Sequence, residues 1–372
     1  MSDITLSAGI RQNLLSLQNT TNDLNTTQEQ LSTGKKVNTA FDNPTSYFTS
    51  QSLTNRANDL SALLDQVGQA QQTLNAANDG LTGLTSLLEQ ALSTAQQAQQ
   101  ASNDTAGSTT GTVDLTGNTL AAGNLLITTG GTTYTVAIAA SATVAAIETD
   151  INGTAGLGST GAVTATDDGA GHLVLTANSP STSFTASGAE QAAFGLTASA
   201  VNGTSSTRTT LQTNYNSLLT QIDQLAGDSS YNGVNLLNGN NLTVNFNENG
   251  TSSLTINGVN FNHAGLGLSA IAAGGFQTVA NITAAETAIN TAISTVRAQT
   301  ETFGTNSSTI STRQTFETNL INTLQTGASN LVLADQNQAS ANLLTEQTQQ
   351  QLEISALSIA NQANQSVLKL FG

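Results

Sequence analysis

"LSTGKKVNTAFDNP", residues 31–44, places Lys35 and Lys36, two of only eight Lys and Arg residues in the chain, inside a run of helix-breaking chemistry. Gly34 accepts the positive φ that commonly ends a helix. Asn43-Pro44 starts another, because the Pro ring presets the first helical turn. Upstream, Ile10, Leu14, Leu17, Thr21, Leu24, Gln28 and Leu31 are spaced alternately by four and three, a coiled-coil seam with two polar steps. Downstream no Pro occurs before Asn103, and Leu53, Leu60, Leu63, Leu64, Val67, Leu74, Leu81, Leu84, Leu88 and Leu92 recur at helical spacing. Roughly sixty helical residues would span ~90 Å, longer than an ordinary globular domain is wide. The quoted segment is therefore a knuckle between two helices, the second of them a rod.

Composition narrows the function. The 372 residues carry a formal charge of −16, which repels nucleic acid and anionic membrane surfaces. No apolar run reaches the ~18 residues a membrane span needs. The start, "MSDITLSAGIRQNLLSL", lacks the basic and apolar regions of a cleaved signal peptide, so any export is expected to use a route that does not read one. With no Cys there is no disulfide framework, thiolate metal site or thiol nucleophile. Charged residues make up 9% of the chain against a typical ~25%, with Thr, Asn, Gln, Ser and Ala in their place. A polar, nearly chargeless surface suits many copies packing side by side.

The far end mirrors the near end. From about Asn281 to Leu370 there is no Pro, and Leu352, Ala356, Ile359, Ala363, Ser366 and Leu370 repeat the four–three spacing, with Val367 beside it. Gly304 and Gly327 mark weak points or a break. Two terminal seams are expected to pair with each other or with neighbouring copies. The middle differs. "NLLITTGGTTYTVAIAA" reads as a hairpin turning at Gly130-Gly131, "SATVAAIETDIN" as a short helix capped by Ser141, and "GAVTATDDGAGHLVLTAN" as a hairpin turning through Asp167–Gly171. Residues 105–206 thus form a small α+β domain. Residues 207–226 return to helical spacing, and another hairpin follows around Asn249-Gly250.

The chain outside 105–206 resembles bacterial flagellin. "LSTGKKVNTAFDNP" looks like that family's knuckle between the innermost helix and the long rod helix. "SSYNGVNLL" (229–237) resembles the turn after its second rod helix, and "SIANQANQSVLKLFG" its C-terminal signature. Asn364 stands where the family commonly has Pro, and the insert falls between the first and second rod helices instead of after the hairpin.

The resemblance implies a mainly α fold: a long antiparallel helical rod, terminal coiled-coil helices and a β-hairpin, plus an inserted small α+β outer domain. Residues 1–44 and 330–372 would form the inner tube and spoke. Residues 45–104, 207–280 and 281–329 would form the rod domain, and 105–206 the outer domain. It implies a self-assembling structural subunit of the flagellar filament, secreted by the flagellar type III export apparatus with its chaperone and meeting the hook–filament junction and cap proteins. The assembly seam would comprise Ile10, Leu14, Leu17, Leu24, Leu31, Leu352, Ala356, Ile359, Ala363, Val367 and Leu370. The spoke would comprise Gly34, Lys35, Lys36, Asn43 and Pro44, its lysines either paired with carboxylates of adjacent copies or simply solvated. The alternatives are a hook–filament junction protein, or a surface adhesin displaying 105–206 on a polymer stalk.

In that family an Arg on the first rod helix anchors an innate immune receptor. Here Lys and Arg are absent from Ala57 to Thr207, so Ala91, Leu92 and Ser93 are expected at that position and the chain is expected to be a poor agonist. No enzyme is expected. His172 is the only imidazole in 105–206, which excludes a paired-His zinc protease motif, and no phosphate loop or cofactor motif occurs.

Overall fold

In a computed structural model of the chain, residues 8–117 and 119–371 are described, residues 364 and 367–371 by backbone alone. Five long helices dominate: α1 (Ala8–Thr33), α2 (Pro44–Gln100), α5 (Ser206–Asp228), α6 (Val279–Val332) and α7 (Gln336–Phe371). Between α2 and α5 lie β1 (Ser108–Thr110), β2 (Gly123–Thr129), β3 (Thr132–Ile138), α3 (Val144–Asn152), β4 (Val163–Asp167), β5 (Leu173–Ala177), β6 (Phe184–Gly188) and α4 (Ala189–Ala193). The strands β7 (Leu242–Asn245) and β8 (Ser253–Ile256) pair with each other between α5 and α6. The fold is that of the mainly α class with a β-rich insert.

The chain divides into two compact units. Unit one holds residues 1–71, 243–255 and 307–372, and unit two holds residues 72–242 and 256–306. In unit one, α1 packs on α7, and the first part of α2 packs on the last part of α6 through Ala57, Leu60, Ile321 and Leu324. The α6–α7 break falls at Leu333–Asp335; Gly304 and Gly327, where the sequence marks weak points, lie inside α6. Asp335 explains the position: its Oδ1 accepts from Asn337 N (2.9 Å) and Gln338 N (3.2 Å), starting α7 afresh.

In unit two, the remainder of α2 buries Leu74, Ala77, Leu81, Leu84, Leu88, Ala91, Ala95 and Ala98, the stripe that its three- and four-residue spacing predicts. Tyr215, Leu219 and Ile222 of α5 and Ile282, Ile289 and Val296 of α6 are buried in the same unit. Gly80 lets α5 and its following turn approach α2 closely: a Cβ there would lie 2.7 Å from Ser229 Cβ and from Leu237 Cδ1. The turn after α5 passes through Asn232 and Gly233 at φ 48° and 80°. The buried Asn235 then caps α5, its Nδ2 donating to Ala226 O and Gly227 O at 2.8 Å each.

The insert has its own core, with two three-stranded sheets ordered β1-β5-β4 and β3-β2-β6. β2 and β3 pair antiparallel across Gly130 and Gly131, at φ 58° and 79°, the left-handed pair that a tight hairpin requires. The Ser141 cap expected from sequence is corrected: Thr143 caps α3, its hydroxyl accepting from Ala146 N, while Ser141 adopts φ 56° in the preceding turn. A threonine two residues later offers the same oxygen with extended backbone, which the N-cap geometry needs.

Candidate assembly surfaces and the insert neck

The α1–α7 pair is antiparallel and its core is partly polar. On α1, Ile10, Thr20, Leu24 and Thr27 are buried and Leu17 and Leu31 half-buried, a three–four spacing that keeps the expected Ile10/Leu17/Leu24/Leu31 ridge. Its companion positions are Thr20 and Thr27; Leu14 and Gln28 are exposed. On α7 the covered stripe is Ala339, Leu343, Glu346, Gln350, Glu353, Leu357 and Ala360. Thr27 Oγ1 donates to Glu346 Oε1 at 3.0 Å. Ser16 Oγ (2.7 Å) and Thr20 Oγ1 (3.0 Å) both donate to Glu353 Oε1. Each carboxylate keeps its Oε2 buried without a hydrogen-bond partner.

The apolar stripe expected to form the C-terminal seam faces away from α1. Leu352 is 65% and Ile359 67% exposed, and Ala356 and Ala363 are exposed with them. The side chains of Val367 and Leu370 lie outside those described. Sequence spacing identified a dry stripe on α7, but the one turned inward is its polar neighbour. Thr20, Thr27, Glu346 and Glu353 were missed because a polar step in a heptad reads as a defect unless its partner helix and register are known.

The knuckle is built from backbone bonds. Gly34, at φ 70°, turns the chain off α1. Lys36 N (2.7 Å) and Val37 N (3.3 Å) donate to Val332 O, and Ala334 N donates to Gly34 O at 3.0 Å. Asp42 Oδ2 accepts from Asn38 N and Thr39 N at 2.8 Å each, and these backbone donors, Thr39 first, hold its carboxyl below the ordinary range. Asn43 Oδ1 accepts from Ser46 N at 3.0 Å, capping α2 with Pro44 in its first turn. Lys35 and Lys36 are exposed, and among the described residues neither makes an ion pair. At the knuckle tip Phe41 is 98% exposed, a feature that the sequence reading passed over.

The insert is joined by a two-strand neck. Thr105 N donates to Thr204 O (3.0 Å) and Thr204 N to Thr105 O (2.9 Å). Arg208, buried at the start of α5, locks this neck: Nε donates to Ala98 O at 3.0 Å, and Nη1 to Asn103 Oδ1 and Gln277 O at 3.3 Å each. Asp104 accepts from Ser206 Oγ and from Ser206 N, which together lower its carboxyl pKa.

The receptor-anchor expectation needs one correction. Ala91 is fully buried in the core of unit two, because it continues the apolar stripe of α2, so it presents nothing to a partner. Leu92 is half-buried and Ser93 exposed. The cation on this face comes from another helix: Arg297 of α6 lies 3.7 Å from Glu89.

In the insert, Asp168 accepts from His172 Nδ1 at 2.7 Å and from Ala170 N at 2.8 Å. The Ala170 N–H first, then His172, lowers the Asp168 carboxyl to about 2. Among the described residues no group of three His, Asp or Glu is placed to hold a metal, and no helix is long and apolar enough to cross a membrane.

These features define a chain closed by its own terminal helices, turned at a knuckle, with a β-rich module set between two long helices. The chain belongs to the bacterial flagellin family. The N-terminal helical region of bacterial flagellin matches residues 8–130 and the C-terminal helical region matches 283–371, together more than half of the sequence. Flagellins FljK and FljM of Caulobacter vibrioides are each 29% identical to it over 162 residues, 43% of this chain. That match spans 59% of the length of each relative.

Proposed function

We propose that this chain is a structural subunit that self-assembles into the filament of a bacterial flagellum, working in motility rather than catalysis. The observation that carries this reading is the apolar stripe Leu352/Ala356/Ile359/Ala363, which α7 leaves open to solvent in the single chain. Leaving that stripe wet forfeits the burial free energy of about 25 cal/mol per Å2 that a neighbouring helix would recover. The test is to add sonicated filament seeds to purified monomer and image the product. Long filaments uphold the reading; a product that caps seeds without extending them indicates a junction protein.

The finer assignments belong to the same proposal. The terminal helices form the inner tube, the knuckle with Gly34, Lys35, Lys36, Asn43 and Pro44 forms the spoke, and 105–206 is the solvent-facing outer domain. Export through the flagellar type III apparatus with a chaperone, and contact with hook–filament junction and cap proteins, place the product outside the cell. Phe41 joins the spoke as an exposed apolar contact for an adjacent copy. With Ser93 and a glutamate-paired Arg297 on the receptor-facing surface, agonist potency is below that of a flagellin carrying an Arg on the first rod helix.

A further inference from the structure

We infer that the hydroxyl–carboxylate bonds between α1 and α7 select which face of α7 pairs with α1, and so keep the apolar stripe of α7 outside. This inference rests on the α1–α7 geometry and stands apart from the filament reading.

Helix α7 carries two stripes at four–three spacing. One is Leu343, Glu346, Gln350, Glu353, Leu357 and Ala360; the other is Leu352, Ala356, Ile359 and Ala363. Over 352–363, the span that the register sets against Ile10 to Thr21, the second stripe offers Leu352, Ala356, Ile359 and Ala363 where the first offers Glu353, Leu357 and Ala360, so apolar burial alone would turn the second stripe toward Ile10 and Leu17. The structure has the first stripe inside. What distinguishes it is the hydroxyl set on α1. Thr20 and Thr27 lie one heptad apart, as do Glu346 and Glu353, and in the antiparallel register each glutamate meets a threonine at 3.0 Å. Ser16 adds a second donor to Glu353 at 2.7 Å.

Hydrogen bonds to an ionised acceptor are the stronger kind, and they form with α7 in this rotation. Turning α7 to its dry stripe strands the hydroxyls of Ser16 and Thr20 against leucine and alanine and parts Thr27 from Glu346. The arrangement is not the most stabilising available, because Glu346 Oε2 and Glu353 Oε2 stay buried without partners. A polar layer of this kind trades stability for specificity. Here the specificity is rotational: α1 is steered onto the polar face of its own α7, and the dry face is held back for another helix.

The absence of Cys allows a direct test in the purified full-length chain. The register set by the two hydrogen-bonded layers places Leu24 beside Gln350, so Leu24→Cys with Gln350→Cys reports the observed face. Leu17→Cys with Ala356→Cys, level with each other in the same register, reports the rotated one. In the parent chain the first pair oxidises and the second does not. Removing the donors with Ser16→Ala, Thr20→Val and Thr27→Val is expected to shift the ratio of the two disulfides toward the rotated face by about tenfold or more. Adding Glu346→Leu and Glu353→Leu then makes the original face dry and returns the first disulfide.

An unchanged ratio in the donor-less chain overturns the inference. If that chain loses the helix pair and forms neither disulfide, recovery of the first disulfide by the two leucines upholds the inference, and failure to recover it overturns it.

Discussion

The Arg313 guanidinium stands 5.2 Å from the centre of the Phe246 ring, stacked on the β7–β8 loop one helical turn from Glu317. Glu317 is 1% exposed, and neither of its carboxylate oxygens has a hydrogen-bond partner. It occupies a core position of α6 between Ile310 and Leu324, both buried. Burial raises its carboxyl above the ordinary 4.5, and the Arg313 charge only partly pulls it back.

A raised acid pKa fixes the sign of the linkage. Between the unfolded and folded values the native state binds more protons, so stability falls as pH rises through that window and levels off above it. Glu317→Leu is expected to remove this slope and to stabilise the chain at neutral pH by about 1–3 kcal/mol, the usual cost of an unsatisfied buried polar group. Urea unfolding at several pH values measures both effects. A destabilised leucine variant, with the slope still present, would show that Glu317 finds a partner in solution.

Arg208 ties the last turn of α2 to Asn103 and to Gln277. Arg208→Met keeps the stem and removes the donors, leaving the carbonyls of Ala98 and Gln277 in partly buried surroundings. The expected loss is about 2 kcal/mol or more, with faster proteolytic cutting on either side of the neck. Limited proteolysis timed against the parent chain checks it. Cleavage at the parent rate would mean that the strand bonds of Thr105 and Thr204 hold the neck unaided.

Replacing residues 106–205 by a short Gly-Ser linker is expected to leave polymerisation intact and give thinner filaments. The two ends of the insert are already adjacent, since Thr105 and Thr204 exchange backbone hydrogen bonds at 2.9 and 3.0 Å. Joining near ends costs little loop-closure entropy. Seeded assembly and imaging decide it; a deleted chain that folds but does not assemble would place the insert in the subunit contacts.

Helix existence was legible in the sequence because apolar spacing of three and four over fifty residues has no strand counterpart, and the Gly130-Gly131 turn because few other residue pairs accept two positive φ angles in succession. The rotation of α7 was not legible. Both of its stripes share the same period, and the one turned inward is chosen by hydroxyls more than three hundred residues away in sequence. The α6–α7 break falls a few residues beyond Gly327, which the sequence marks, for a related reason: a helix tolerates Gly304 and Gly327, and Asp335 restarts one beside the knuckle bonds to Val332 and Ala334. Glu317 was invisible to the reading because a glutamate on a helix is usually solvated, and only its burial sets it apart.

The central claim is that the dry stripe of α7 is a contact between copies of the chain. Ile359→Asp tests it most directly, because Ile359 is 67% exposed in the single chain and the substitution is expected to leave the folded subunit undisturbed. In a neighbour-covered seam the new carboxylate is desolvated at a cost of several kcal/mol per subunit. The measurement is the mass of polymer sedimented after seeding the variant and the parent at equal concentration. The account predicts a soluble, helical variant that does not elongate seeds; filaments of normal yield from Ile359→Asp would contradict it.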